Sequence, residues 1–180
     1  DELRKSENRF RELFESMEEG FYLTELVYDE NGKPVDCKFI DVNPAHSKIT
    51  GLQRNEVIGN TLGELFPGLE QQWFDAHIDV AVTGKPKTIE GFVSSLTRYF
   101  ILHIYSPRKG QCAVLFLDIT DKKLVEKKLK ETEERWQFAI EGSDDGVWDW
   151  NIKTGEVYFS SRWKTMLGYK VDEIKNEITE

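Results

Sequence analysis

The chain has 180 residues, of which 39% are hydrophobic and 32% charged, an ordinary balance for a globular protein with exposed helix. Lys and Arg number 24 against 33 Asp and Glu, and the net charge of −9 argues against a nucleic-acid surface or a membrane-binding face, which need clustered cations. No apolar run approaches the roughly 20 residues that span a bilayer, and the first residues are charged, so no spanning segment or signal peptide is visible.

In chain order, residues 1–18 read as an amphipathic helix with Leu3, Phe10, Leu13 and Met17 at heptad-like spacing. Leu3, Phe10 and Met17 recur at sevens with Ser6 and Leu13 between them, a seam on which a homodimer is expected. Gly20 breaks the helix. Residues 20–28 and 35–42 read as strands, joined by a turn that carries Asn31-Gly32. Asn43-Pro44 opens a short helix that runs to Thr50 and stops at Gly51. Residues 53–58 give a further helical turn, and 59–67 read as a loop. A longer helix over 69–83 is closed by Gly84 and Pro86. Three strands follow at 88–94, 98–105 and 112–117, with Pro107-Arg108-Lys109-Gly110 turning the last hairpin. Thr120 or Asp121 can then cap a long charged helix. Two hairpin blocks flanking helices imply an antiparallel sheet with helices on one face, an α+β architecture.

The chain also repeats itself. Leu3, Ser6, Glu7, Arg9, Phe10, Glu15 and Gly20 align with Leu129, Thr132, Glu133, Arg135, Trp136, Glu141 and Gly146, an offset of 126. With a shorter turn, Gly51 and Glu56 then fall opposite Gly168 and Glu173. So long a period means tandem domains rather than a solenoid. The second copy stops at Glu180, short of a full domain, so Trp148, Trp150, Phe159, Trp163 and Met166 are expected to lie exposed, be covered by the first domain, or dock on a neighbouring chain.

Four segments in order carry a resemblance to the PAS sensor family. They are residues 39–51 (FIDVNPAHSKITG), Glu56-Val57-Ile58-Gly59, Val82-Thr83-Gly84-Lys85-Pro86, and Asp118-Ile119-Thr120 followed by Asp121-Lys122-Lys123. The resemblance covers roughly 7–121, with a partial second copy over 133–180. The expected organisation is an N-terminal helix over 1–18, a PAS domain over 19–120, a connector helix over 121–140 and the N-terminal part of a second, truncated PAS domain over 141–180. The resemblance implies a five-stranded antiparallel sheet with helices over one face, enclosing a pocket. It also implies a sensory module of a bacterial or archaeal sensor histidine kinase or GGDEF-type diguanylate cyclase, with the output domain outside these residues. Asp118 and Thr120 are then the expected relay residues, Asp118 bonding locally or to a nearby basic group and Thr120 capping the helix.

The pocket could hold several things. Flavin-photoreceptor relatives carry a reactive cysteine where this chain has Gly59-Asn60-Thr61-Leu62-Gly63, which excludes covalent flavin chemistry. Haem-binding relatives use a histidine on the long helix, where His77 sits beside Trp73 and Val80, yet the surrounding residues do not match haem sensors. A small organic ligand is the third reading, with Trp73, His77, Phe92, Tyr99 and His103 as candidate pocket residues; Phe74 and Phe100 add aromatic surface. The same residues suit a filled core, in which case the domain is a dimerisation or protein-interaction module without a ligand.

Cys37 and Cys112 are too few for a disulfide framework and lack metal-ligand spacing, and a reducing cytoplasm is the simplest expected location, with a membrane anchor elsewhere in the parent left open. No phosphate-binding loop, nucleophile elbow or zinc-protease motif occurs, and His46, His77 and His103 stand in no phospho-acceptor context, so no catalysis is expected here. Along the connector, Val125, Leu129, Thr132, Trp136 and Ala139 alternate at spacings of four and three, the seam of a two-stranded coiled coil.

Overall fold

The computed structural model describes residues 2–142 and 145–175. The chain forms two compact units, Asp1–Lys123 and Leu124–Glu180.

The first unit begins with α1 (Glu2–Ser16), followed by strands β1 (Gly20–Tyr28) and β2 (Pro34–Val42). Four helices come next: α2 (Pro44–Thr50), α3 (Arg54–Val57), α4 (Leu62–Leu65) and α5 (Gln71–Thr83). Strands β3 (Lys87–Val93), β4 (Arg98–Tyr105) and β5 (Gln111–Asp118) complete an antiparallel sheet of order β2-β1-β5-β4-β3. This is the expected α+β, five-stranded architecture. Strand bounds agree with the sequence reading to within a residue, because Gly20, the Asn31-Gly32 turn, Pro34, Asn43-Pro44, Pro86, Pro107 and Gly110 punctuate most of the strand ends.

Burial alternates along β1, with Tyr22, Thr24 and Leu26 facing inward. Cys37, Phe39 and Val42 on β2, Phe100, Leu102 and Ile104 on β4, and Val114 and Phe116 on β5 join them in one core. α5 closes it with Trp73, Ala76, His77, Val80 and Ala81. Gly20 is required at the mouth of β1, since a Cβ there would lie 2.2 Å from the Phe116 ring.

Asn43 ends β2 and starts α2 in one step. Its Oδ1 accepts from the amides of His46 and Phe21, each at 2.9 Å, and its Nδ2 donates to the Glu19 carbonyl. Gly51 terminates α2 at φ 80°, a left-handed conformation that Gly reaches without a Cβ penalty. One element departs from the sequence reading. The loop expected over 59–67 contains α4, whose capping box is Thr61 accepting from the Glu64 amide while the Glu64 carboxylate accepts from the Thr61 amide. The Thr-x-x-Glu spacing was the available signal.

α1 sets the edge of Phe14 against Phe21, ring centroids 5.3 Å apart. The expected dimer seam rests partly on the side chains of Leu3 and Phe10, which lie outside the described residues; Leu13 is exposed.

α6 (Thr120–Gly142) begins in the first unit and continues into the second. Val125, Leu129, Thr132, Trp136 and Ala139 are all solvent-exposed, and Val125, Leu129 and Trp136 are each more than half exposed. Among the described residues no helix is long and apolar enough to cross a membrane.

The second unit adds a two-stranded antiparallel sheet, β6 (Trp148–Trp150) and β7 (Val157–Phe159), and then α7 (Ser161–Met166). Ser160 occupies the strand-to-helix junction, its Oγ accepting from the amides of Val147 and Trp163. Trp148, Trp150 and Met166 are exposed, whereas Phe159 stacks on Trp163 at 4.3 Å.

Candidate functional site

Between the sheet and the helices of the first unit lies a cavity of about 50 Å³. β1 contributes Tyr22, α2 contributes His46 and Thr50, and α5 contributes Trp73 and His77. Leu62, Phe66, Leu69, Val93, Leu96, Phe100, Leu102 and Phe116 supply the apolar wall. A space of that size holds roughly three to five water-sized groups.

Two buried histidines flank Tyr22. Its ring stacks on His77 at 5.8 Å and meets His46 edge-on at 6.0 Å. His77 Nδ1 lies 2.7 Å from the Trp73 carbonyl, which can only accept, so Nδ1 carries the proton. His77 Nε2 is therefore the acceptor for the Tyr22 hydroxyl at 2.8 Å. Burial pushes the His77 pKa down to about 4, against a smaller opposing contribution from the Trp73 carbonyl. Burial alone pushes His46 down to about 4. Both rings are thus neutral at pH 7.

The sequence-derived pocket candidates divide between the two faces of the sheet. Trp73 and His77 line the cavity. Phe92, Tyr99 and His103 do not, because the residues that point inward from β3 and β4 are Val93, Phe100, Leu102 and Ile104. Phe92 and Tyr99 pack together at 5.0 Å, and the exposed His103 bonds Thr88 across the β3–β4 pair. In sequence β4 sets Tyr99, Ile101 and His103 on one face and Phe100, Leu102 and Ile104 on the other, both partly apolar; in the structure the second set is buried. Tyr22 and His46 were missed as cavity residues. Their signals were the inward phase of β1 and the position of His46 in the first turn after the Asn43 cap.

Both ring nitrogens of His77 are engaged by protein partners, Nδ1 by the Trp73 carbonyl and Nε2 by the Tyr22 hydroxyl. Among the described residues no group of three His, Cys, Asp or Glu is placed to hold a metal.

The junction between β5 and α6 is built from Asp118, Thr120 and Arg98. Asp118 Oδ1 accepts from the Thr120 amide at 2.9 Å and from its hydroxyl, while Oδ2 accepts from Arg98 Nη1 at 3.0 Å. Burial works against the Asp118 carboxylate, yet the Thr120 bonds and the Arg98 charge together hold its pKa below the ordinary carboxylate range. Thr120 Oγ1 accepts from the Tyr99 amide at 2.9 Å, which ties the helix start to β4. Arg98 Nη1 also donates to the Ile49 carbonyl near the end of α2, at 3.2 Å. Lys123, one turn into α6, pairs with Glu90 on β3 at 2.8 Å.

Comparison with known proteins bears on this unit. Residues 8–83 match the family model for the PAS domain. Over 53 residues the chain is 51% identical to hybrid signal transduction histidine kinase A of Dictyostelium discoideum, a stretch amounting to 29% of this chain and 2% of that protein. Among solved structures, an RNA-binding light-oxygen-voltage receptor shares the fold with a TM-score of 0.53 at 15% identity, over 74% of this chain and 38% of that one. A domain of a sensory box sensor histidine kinase/response regulator from Geobacter sulfurreducens gives a TM-score of 0.49 at 23% identity, over 64% of this chain and 96% of that one.

Proposed function

Residues 8–83 being a PAS domain, we propose that the chain is a sensory module. A small ligand in the cavity alters how α6 leaves the sheet, and α6 relays the change to an output domain outside these residues, a histidine kinase or a diguanylate cyclase. The observation that carries this reading is the double contact of Arg98. One guanidinium nitrogen bonds both Ile49, on the helix whose His46 and Thr50 line the cavity, and Asp118, where α6 begins. A shift of α2 on ligand entry would therefore be felt at the root of α6. The chain is non-catalytic on this reading, and residues 141–180 are the start of a second PAS domain, supported by the repeated junction at Ser160.

Signal travels along α6 as a coiled coil in a homodimer. The exposure of Val125, Leu129 and Trp136 supports a partner helix, since apolar residues at heptad spacing are otherwise costly in water. A second reading, a protein-interaction module without a ligand, draws on the outer face of the sheet, where Phe92 is 38% and Leu117 39% exposed.

The test uses the parent protein and its output activity. Arg98→Met should fix output at one level whatever the stimulus, while changing the stability of the domain by less than about 1 kcal/mol, because the ion pair is partly exposed to solvent. One residue inserted near Lys128 turns everything downstream by about 100° and should abolish regulation, whereas seven inserted residues nearly restore the phase and should preserve it. Regulation that survives Arg98→Met and both insertions equally would overturn the relay.

A further inference from the structure

Counting protons around the cavity identifies what it can bind. Thr50 Oγ1 gives its one proton to the His46 carbonyl at 2.8 Å and accepts from the Leu52 amide at 3.2 Å. Toward His46 Nδ1, 3.4 Å away, it can only accept, which puts the imidazole proton on Nδ1. His46 Nε2 is then a bare acceptor, and no hydrogen bond to it exists among the described residues. No sealed polar side-chain atom among those residues lacks a partner, so Nε2 borders the open space of the cavity that His46 lines.

The other polar groups are already committed. The Tyr22 hydroxyl proton goes to His77, the His77 proton to the Trp73 carbonyl, and the Trp73 indole N–H to Glu70 at 3.1 Å. No Lys or Arg lines the cavity. The site therefore offers acceptors, His46 Nε2 and the Tyr22 oxygen, and no spare donor. An anion placed there would be stripped of water and meet only lone pairs, which is strongly unfavourable. A donor group would instead find a partner in a site otherwise walled by aromatic and aliphatic carbon.

We propose that the cavity binds a neutral, mostly apolar molecule of about three to five heavy atoms that carries one O–H or N–H group and donates it to His46 Nε2. The proposal rests on the sensory reading and names the class of ligand that reading requires.

Binding of propan-2-ol, acetone and acetate to the full chain at pH 7 tests it. These probes share a small size and differ in offering a donor, no donor, or a negative charge. Propan-2-ol should bind about fivefold or more tightly than acetone, the worth of one buried hydrogen bond, and acetate should bind more weakly than either. Nitrogen NMR of the native protein gives a readout that needs no variant. The His46 Nε2 resonance should move on addition of propan-2-ol and stay in place with acetone. In His46→Leu the preference for propan-2-ol should vanish. Equal affinity for propan-2-ol and acetone, preference for acetate, an unmoved Nε2 resonance or no binding of propan-2-ol would each overturn the proposal. None of those results touches the Arg98 and α6 tests, so the ligand class and the sensory reading can fail separately.

Discussion

The same strand-to-helix junction is built twice in this chain, and the two versions differ in what surrounds them. In the first unit Asn43 accepts from Phe21 and His46; in the second Ser160 accepts from Val147 and Trp163, and the amide of each junction residue returns a bond to the carbonyl of Phe21 or Val147. Both helices are followed by a glycine at positive φ, Gly51 at 80° and Gly168 at 86°. Then the Glu56 carboxylate accepts from the Gln53 amide and the Glu173 carboxylate from the Lys170 amide, each at 2.7 Å. Beyond these bonds the likeness ends. Tyr22 is 6% exposed under His77 and Phe116, whereas its counterpart Trp148 is 58% exposed. A junction of this kind is set by a handful of neighbouring residues, while a core needs strands that arrive from far along the chain.

Acid should separate the two units most sharply. All three histidines lie in the first unit, and two of them, His46 and His77, are buried neutral with pKa values lowered to about 4. The unfolded chain takes up their protons near pH 6.5 and the folded one does not, so stability is fully present above that pH and is lost as pH falls toward 4. Each imidazole should remove about 2 kcal/mol between pH 7 and 5. Urea unfolding of the first unit at the two pH values measures the sum, and His77→Phe should remove about half of it. An unchanged midpoint at pH 5 would show that these rings are not buried in neutral form.

Asn43→Ala should cost less, about 2–3 kcal/mol, by stripping the cap from α2 and leaving the Phe21 amide and Glu19 carbonyl short of partners. Equilibrium denaturation checks it. A loss below 1 kcal/mol would mean that water or a backbone shift replaces the side chain, and the junction would then be a weaker determinant than its recurrence suggests.

The sheet was legible because β1 alternates and most strand ends of the first unit are punctuated by Gly, Pro or Asn. The repeat was legible because glycines and capping residues hold their spacing. The site was only half legible. Trp73 and His77 lie on a helix whose apolar face had one direction to turn, and both line the cavity. β4 is apolar on both faces, so alternation separated Tyr99 and His103 from Phe100 and Leu102 without saying which pair faced inward. That depends on the helices α2 to α5 packing over one side, a long-range fact. His46 was hidden for the opposite reason, since its role comes from a tautomer that Thr50 imposes through two hydrogen bonds.

The smallest effect tests the comparison most directly. Ser160→Ala removes one oxygen that serves two amides, Val147 at 2.9 Å and Trp163 at 3.2 Å, and should cost about 1 kcal/mol, near the usual value of an N-cap. The loss should appear as faster hydrogen exchange at those two amides, with the first unit's sheet unaffected. Because Asn does the same work at position 43, Ser160→Asn should keep both bonds and restore slow exchange. The reverse exchange, Asn43→Ser, should cost more than Ser160→Asn, since a hydroxyl can accept in place of Oδ1 but does not reach the Glu19 carbonyl that Asn43 Nδ2 holds at 2.9 Å. If Ser160→Asn proves as damaging as Ser160→Ala, the two junctions are alike in appearance only, and the residue at each is fixed by its own surroundings rather than by a shared design.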